Sequence, residues 1–215
     1  MSPLAALLLC ALAGCAGGEK VELRFAPTEG SRVRRTIEVG DFALRTLDEY
    51  RKIGAGRPLL LRRQFEEIRP VGPLAGTSVV YTWIPEEGAY GKYYDAREAS
   101  ESALRGLAED LDLRALLPAG PVAVGDAWSV PGASLRDVFA PAGLLDPSPG
   151  TGDGRLVLAS VRAEAGRSLA TIEVSVPGVG DRGTLVWDLG AKRAASFVLK
   201  GVAWRIESVP PQGQK

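Results

Sequence analysis

The last third of the chain alternates between apolar and polar residues with a period of two, and that pattern admits little except antiparallel β-structure. Ile172, Val174 and Val176, then Leu185, Trp187 and Leu189, then Val202, Trp204 and Ile206 fall on one face. Thr171, Glu173 and Ser175, and likewise Ala203, Arg205 and Glu207, fall on the other. Successive side chains of a strand point to opposite faces, so these runs predict a sheet with one dry and one wet face. Strands are expected over 156–161, 169–176, 183–189, 194–200 and 202–209, with turns at Ala165-Gly166-Arg167 and Gly190-Ala191-Lys192-Arg193. Gly201 is expected as a bulge that bends the last two segments as one strand.

The first half carries a weaker form of the same pattern. Segments 21–26 and 32–39 read as two antiparallel strands around the turn Pro27-Thr-Glu-Gly30, with Val33, Ile37 and Val39 on one face. Arg35 interrupts that face, which places it at a rim. Residues 40–58 are charged and irregular, and predict a loop or short helix. Segments 59–68 and 77–84 form the next hairpin, and Val79, Tyr81 and Trp83 against Val80, Thr82 and Ile84 make the second strand apolar on both faces, as for a central strand. Asp95-Ala-Arg-Glu98 has the form of a capping box, and Leu104, Leu107 and Leu111 follow at helical spacing, so a helix of three to five turns is expected over 96–116, ended by Pro118.

Composition removes whole classes of chemistry. There is no histidine, so neither a Ser-His nor a Cys-His nucleophile can be built, and zinc would need an all-carboxylate site. Lys plus Arg equals Asp plus Glu at 26 each, which gives no footprint for nucleic acid. The acidic excess lies in the middle, where Glu109, Asp110 and Asp112 read as the solvent face of the expected helix. Gly150-Thr-Gly-Asp-Gly154 lacks the strand before and the helix after that a phosphate loop requires, and reads as part of a flexible loop near 140–154. Glu66-Glu67 and Glu86-Glu87 are adjacent pairs whose members point to opposite faces of a strand, which argues against a glycosidase dyad. No metal site and no cofactor are expected.

The first fourteen residues hold an apolar run of signal-peptide length, short of the roughly 20 residues of a membrane span, and Leu12-Ala13-Gly14-Cys15 resembles the lipobox of bacterial lipoproteins. The resemblance implies that residues 1–14 are an export signal cut before Cys15, that Cys15 carries diacylglycerol and an N-acyl chain, and that residues 15–20 form a short tether. Several acyl chains give firm anchoring, since each buried methylene contributes about 0.8 kcal/mol. Ala16 in place of Asp implies outer-membrane sorting in a Gram-negative envelope. Leu117-Pro-Ala-Gly-Pro-Val-Ala-Val-Gly-Asp-Ala-Trp128 also resembles a segment of uncharacterised envelope lipoproteins, and implies a shared fold without an activity.

The expected architecture is mainly β (α+β): a curved antiparallel sheet or incomplete β-barrel with one long helix packed on it, a single domain over 21–209, and a disordered tail over 210–215. In outline it is similar to the periplasmic lipoprotein carriers and their outer-membrane receptor, which bind acyl chains between sheet and helix. The expected function is non-enzymatic: a lipid-anchored envelope protein, held through Cys15 at the periplasmic face of the outer membrane, that binds an apolar ligand or a partner protein. A scaffold role in an envelope complex and a carboxylate-dependent glycan hydrolase are the alternatives. Trp83, Tyr90, Tyr93 and Trp128 are the candidate ligand-binding aromatics, Tyr90 and Tyr93 because they lie in an expected loop, 88–94, where rings can be exposed.

Overall fold

The computed structural model describes residues 19–54, 56–96, 102–144, 152–177 and 182–210. The expected signal peptide, Cys15, most of the tether, the centre of the 140–154 loop and all but the first residue of the tail lie outside them.

Among the described residues eleven strands form one unclosed sheet in which every neighbouring pair is antiparallel. In chain order they are β1 (Arg32–Val39), β2 (Phe42–Gly54), β3 (Arg57–Arg69), β4 (Ser78–Ile84), β5 (Ala89–Tyr94), β6 (Ala127–Val130), β7 (Gly154–Glu164), β8 (Arg167–Ser175), β9 (Arg182–Asp188), β10 (Arg193–Leu199) and β11 (Val202–Val209). Their order across the sheet is β5-β4-β3-β2-β1-β11-β10-β9-β8-β7-β6. Two meanders are therefore joined in the middle by the first and last strands, with Ile37 opposite Trp204. Inward-facing residues of both meanders belong to one hydrophobic cluster with Leu104, Leu107, Leu111, Leu116, Leu135 and Val138 of the connecting segment. A flat sheet of this width would span roughly 48 Å at about 4.8 Å per strand, whereas the inward residues of both meanders share one cluster with the connecting segment, so the sheet curves around that segment.

The C-terminal meander matches the alternation closely. Leu156, Leu158, Ile172, Val174, Leu185, Trp187, Phe197 and Trp204 are all fully buried. At the β7–β8 hairpin, Ala165 and Gly166 both adopt positive φ, the two-residue turn that suits the right-handed twist of the strands. Gly201 belongs to a tight turn with Lys200 between two paired strands, Leu199 facing Val202, and is not a bulge in one bent strand.

Four expectations in the first half are overturned. Segment 21–26 is not a strand of the sheet: Val21 makes a single bridge to Val122, while Leu23 and Phe25 pack into the core. Residues 40–58 are neither loop nor helix, because β2 fills 42–54, and its alternation is masked by Thr46, Asp48 and Tyr50 at inward positions. β4 is the penultimate strand instead of a central one, and only Val79, Val80 and Tyr81 of it are buried.

The long helix over 96–116 is the fourth. Among the described residues it is one turn, α1 (Ser102–Arg105), followed by irregular chain and a 3-10 turn at Arg114–Leu116. Helical hydrogen bonds are lost to side chains: the carbonyls of Leu107, Ala108, Glu109 and Leu111 accept instead from Lys92, Arg63, Arg63 and Arg35. Leu113 sits at φ 57, which a continuing helix cannot contain. A second helix, α2 (Gly132–Phe139), buries Leu135 and Val138, and the turn after it packs Ala140 and Ala142 into the core where the flexible loop was expected to begin.

Candidate functional site

The inward face of β1 to β4 is not purely apolar. Arg35 on β1, Thr46, Asp48 and Tyr50 on β2, and Arg63 and Tyr81 on β3 and β4 all point to the concave side, and each is at most 1% exposed. Strand register assembles them: Arg35 lies opposite Thr46, and Asp48 opposite Arg63. Arg63 grips Asp48 with two nitrogens, Nε at 2.9 Å from Oδ1 and Nη2 at 2.7 Å from Oδ2, while Arg35 Nη1 approaches the same carboxylate at 2.9 Å. The fourth charge is Asp112, brought by the segment that crosses the sheet. Its carboxylate accepts from Arg35 Nη2 and, at 2.6 Å, from the Tyr50 hydroxyl.

Two guanidinium groups thus face two carboxylates in a dry interior. Burial opposes the charge on Arg35, but Asp112, Tyr50 and Asp48 outweigh it and hold the group protonated above its ordinary range. Burial likewise opposes Arg63, and Asp48 more than offsets it. Burial pushes the Asp112 carboxyl up against the pull of Arg35, and pushes the Tyr81 hydroxyl, beside Arg63, up to about 12. Such a cluster costs desolvation free energy that packing with apolar residues would not, so it marks a place where the two halves of the cluster must recognise each other.

This corrects two expectations. Arg35 is on a central strand, not at a rim, and its burial is supported by hydrogen bonds to Tyr50, Asp112 and the Leu111 carbonyl and by the ion pair with Asp48. Asp112 is 3% exposed and is no part of a solvent face. The signal was present: Arg35, Asp48 and Arg63 each occupy the inward phase of a strand, and opposite charges at inward phase on neighbouring strands indicate a buried pair. Asp112 gave none, since its partner lies 77 residues away in sequence.

Along the same face of β2 an apolar pocket of about 380 Å³ opens beside Phe42. Ile68, Leu74, Ala103, Leu107 and Leu144 complete most of its wall, with Pro70 and Pro73 of the β3–β4 loop at its edge. Val71 of that loop is 86% exposed. Gly143 and Gly106 close the far side in tight contact, for a Cβ on Gly143 would lie 1.9 Å from the Gly106 carbonyl oxygen.

The four aromatics expected to bind ligand do not form one group. Trp83 and Tyr90 meet edge to face at 5.1 Å near the β5 edge, with the Arg57 guanidinium 4.1 Å from the Trp83 ring centroid and the Tyr90 hydroxyl donating to the Pro58 carbonyl at 2.6 Å. Segment 88–94 is not the expected loop, because from Ala89 it pairs with β4 as the edge strand β5, on which Tyr93 is half exposed. Trp128 lies on β6, the opposite edge strand, and its Nε1 donates to the Leu116 carbonyl at 2.9 Å, tying down the crossing segment.

The carboxylate pairs offer no dyad. Contrary to the strand rule, Glu66 and Glu67 reach the same side, where Arg45 lies 3.4 Å from one and 3.0 Å from the other, because a bulge between Arg45 and Thr46 places two residues of β3 against one of β2. Both are held by arginines. Glu86 and Glu87 are exposed in the β4–β5 turn. Among the described residues there is no group of three or more His, Cys, Asp or Glu side chains arranged to hold a metal, and no helix is long and apolar enough to cross a membrane. No family model, no curated protein and no solved structure matches the chain.

Proposed function

We propose that this chain is a lipid-anchored envelope protein, attached through Cys15 to the periplasmic face of the outer membrane, that binds an apolar ligand without transforming it. The observation that carries the ligand is the pocket beside Phe42. Its volume falls within the roughly 300 to 1,000 Å³ of small-molecule sites, and its wall is mostly aliphatic. It is also extensible, because the cover of the concave face is irregular chain held by side-chain hydrogen bonds instead of a continuous helix. Val71 stands in the loop that edges the pocket and presents an apolar group outward, which suits a mouth facing a lipid surface. The anchor rests on the Leu12-Ala13-Gly14-Cys15 motif.

Two measurements test this. Cys15→Ser is expected to move the protein from the membrane to the soluble fraction of cells and to abolish incorporation of labelled palmitate. Native mass spectrometry of the unlipidated chain is expected to show co-purified lipid that a hydrophobic dye displaces. A chain that carries no lipid and takes up no dye has no such site.

A further inference from the structure

Segment 104–112 has the make-up of an amphiphile laid along the concave face. Leu104, Leu107 and Leu111 are buried apolar side chains, Leu107 stands in the pocket wall, and Asp112 carries a carboxylate at the far end. That carboxylate is received by the Tyr50 hydroxyl at 2.6 Å and by Arg35 Nη2, and Arg35 Nη2 itself donates to the Tyr50 oxygen at 2.5 Å.

The receiving face holds more capacity than Asp112 uses. Arg35 Nη1 faces Asp48 at 2.9 Å without hydrogen-bond alignment, and the Thr46 hydroxyl, directly across the register from Arg35, is buried with no hydrogen-bond partner among the described residues. Taken without the crossing segment, this part of the sheet has Arg35 and Arg63 against Asp48 alone, a surplus of one positive charge. Phe42 at the pocket and Thr46 beside Arg35 are four residues apart on one strand face, about 13 Å at the usual rise, a span that an acyl chain bridges.

We infer that this face binds a long-chain anionic amphiphile, a fatty acid, whose carboxylate takes the place of Asp112 on Arg35 and Tyr50 and also accepts from the Thr46 hydroxyl, and whose tail replaces Leu107 and Leu111 and enters the pocket. The inference rests on the apolar-ligand reading and adds the head group to it. An uncharged ligand that lifts the segment leaves Arg35 buried with only a shared carboxylate, which is heavily penalised, whereas an anionic one restores the charge balance.

The full-length Cys15→Ser chain is titrated with oleate, with methyl oleate and with oleoyl lysophosphatidic acid, read by tryptophan fluorescence. Oleate is expected to bind at least about tenfold tighter than its methyl ester, and Asp112→Asn to tighten oleate by about a further tenfold while changing the ester less. Equal affinity for oleate and methyl oleate, or an equal gain for both in Asp112→Asn, overturns the head-group assignment and leaves the apolar-ligand reading standing. Binding of neither overturns both. Tighter binding of the lysophosphatidic acid overturns the carboxylate in favour of a phosphate head and a phospholipid source. Because Arg35→Met alone strands the buried Asp112 carboxylate and can fail to fold, the double variant Arg35→Met/Asp112→Leu serves as the control. It is expected to bind methyl oleate and to lose the preference for oleate, and a retained preference overturns the assignment.

Discussion

Asp48 is paired with two buried arginines, Arg63 through hydrogen bonds and Arg35 through an ion pair alone, and that sharing sets what each is worth. Arg63→Met removes the two-pronged contact at 2.9 and 2.7 Å and also the donors to the Ala108 and Glu109 carbonyls, leaving Asp48 with Arg35 alone. The expected loss is about 3 to 5 kcal/mol in urea denaturation. Arg34→Met breaks a comparable contact with Glu66 at 2.8 Å, but Arg34 is partly exposed, and the same measurement is expected to give about 1 kcal/mol or less. The contrast separates burial from geometry. A pH dependence follows at Asp188. Burial presses its carboxyl upward, but the Ala191 N–H at 2.9 Å and Arg167 Nε at 2.7 Å more than offset this, and the group sits below its ordinary value. The fold therefore favours the ionised form, so its contribution is complete above the ordinary carboxylate value near 4 and is lost as pH falls from there through the lower folded value. Asp188→Asn is expected to cost about 1 to 2 kcal/mol at pH 7, and the gap to wild type is expected to close in acid denaturation curves below about pH 4. A gap that stays constant with pH would assign the loss to packing.

The crossing segment and the turn after α2 are coupled at one point. Gly143 has φ +69 and its Cα faces the Gly106 carbonyl, while Ala108 N donates to the Ala142 carbonyl at 2.9 Å. Gly143→Ala combines a backbone conformation that L-residues avoid with a contact no side chain can make, and is expected to cost roughly 2 to 4 kcal/mol and to raise hydrophobic-dye binding by separating the two turns beside the pocket. Unchanged stability on thermal melting would show that the turns part without strain. This is also the element at which sequence pattern misleads. Leucines at 104, 107 and 111 have helical spacing, and all three are buried as a helix would bury them, yet the chain there is mostly irregular. Periodicity reports which side chains go inward, and cannot report that Arg35, Arg63 and Lys92, distant in sequence, take the carbonyls a helix would use. The same limit hid β2, whose inward Thr46, Asp48 and Tyr50 read as polar chain until their partners are in place. By contrast β7 to β11 were legible, because there the inward residues are apolar and need no particular partner.

At the scale of the molecule, the unclosed sheet depends on β1 and β11, which pair from Arg32 opposite Val209 to Val39 opposite Val202. Neither meander closes on itself, and this is the only strand pairing among the described residues that joins the two meanders. Truncation after Lys200 exposes the edges of β1 and β10 together and removes Val202, Trp204 and Ile206 from the core. It is expected to abolish the cooperative thermal transition seen by circular dichroism and to produce aggregates in light scattering, whereas truncation after Pro210 is expected to be neutral. Antiparallel sheet was legible from alternation alone, but not this order, since nothing in either strand's pattern distinguishes a neighbour two residues on from one at the other end of the chain. The pairing also fixes a sequence of events. A chain made from its N-terminus presents β1 to β5 with one flank of β1 bare until β11 has been made, so the two meanders cannot be joined until every other strand of the sheet exists.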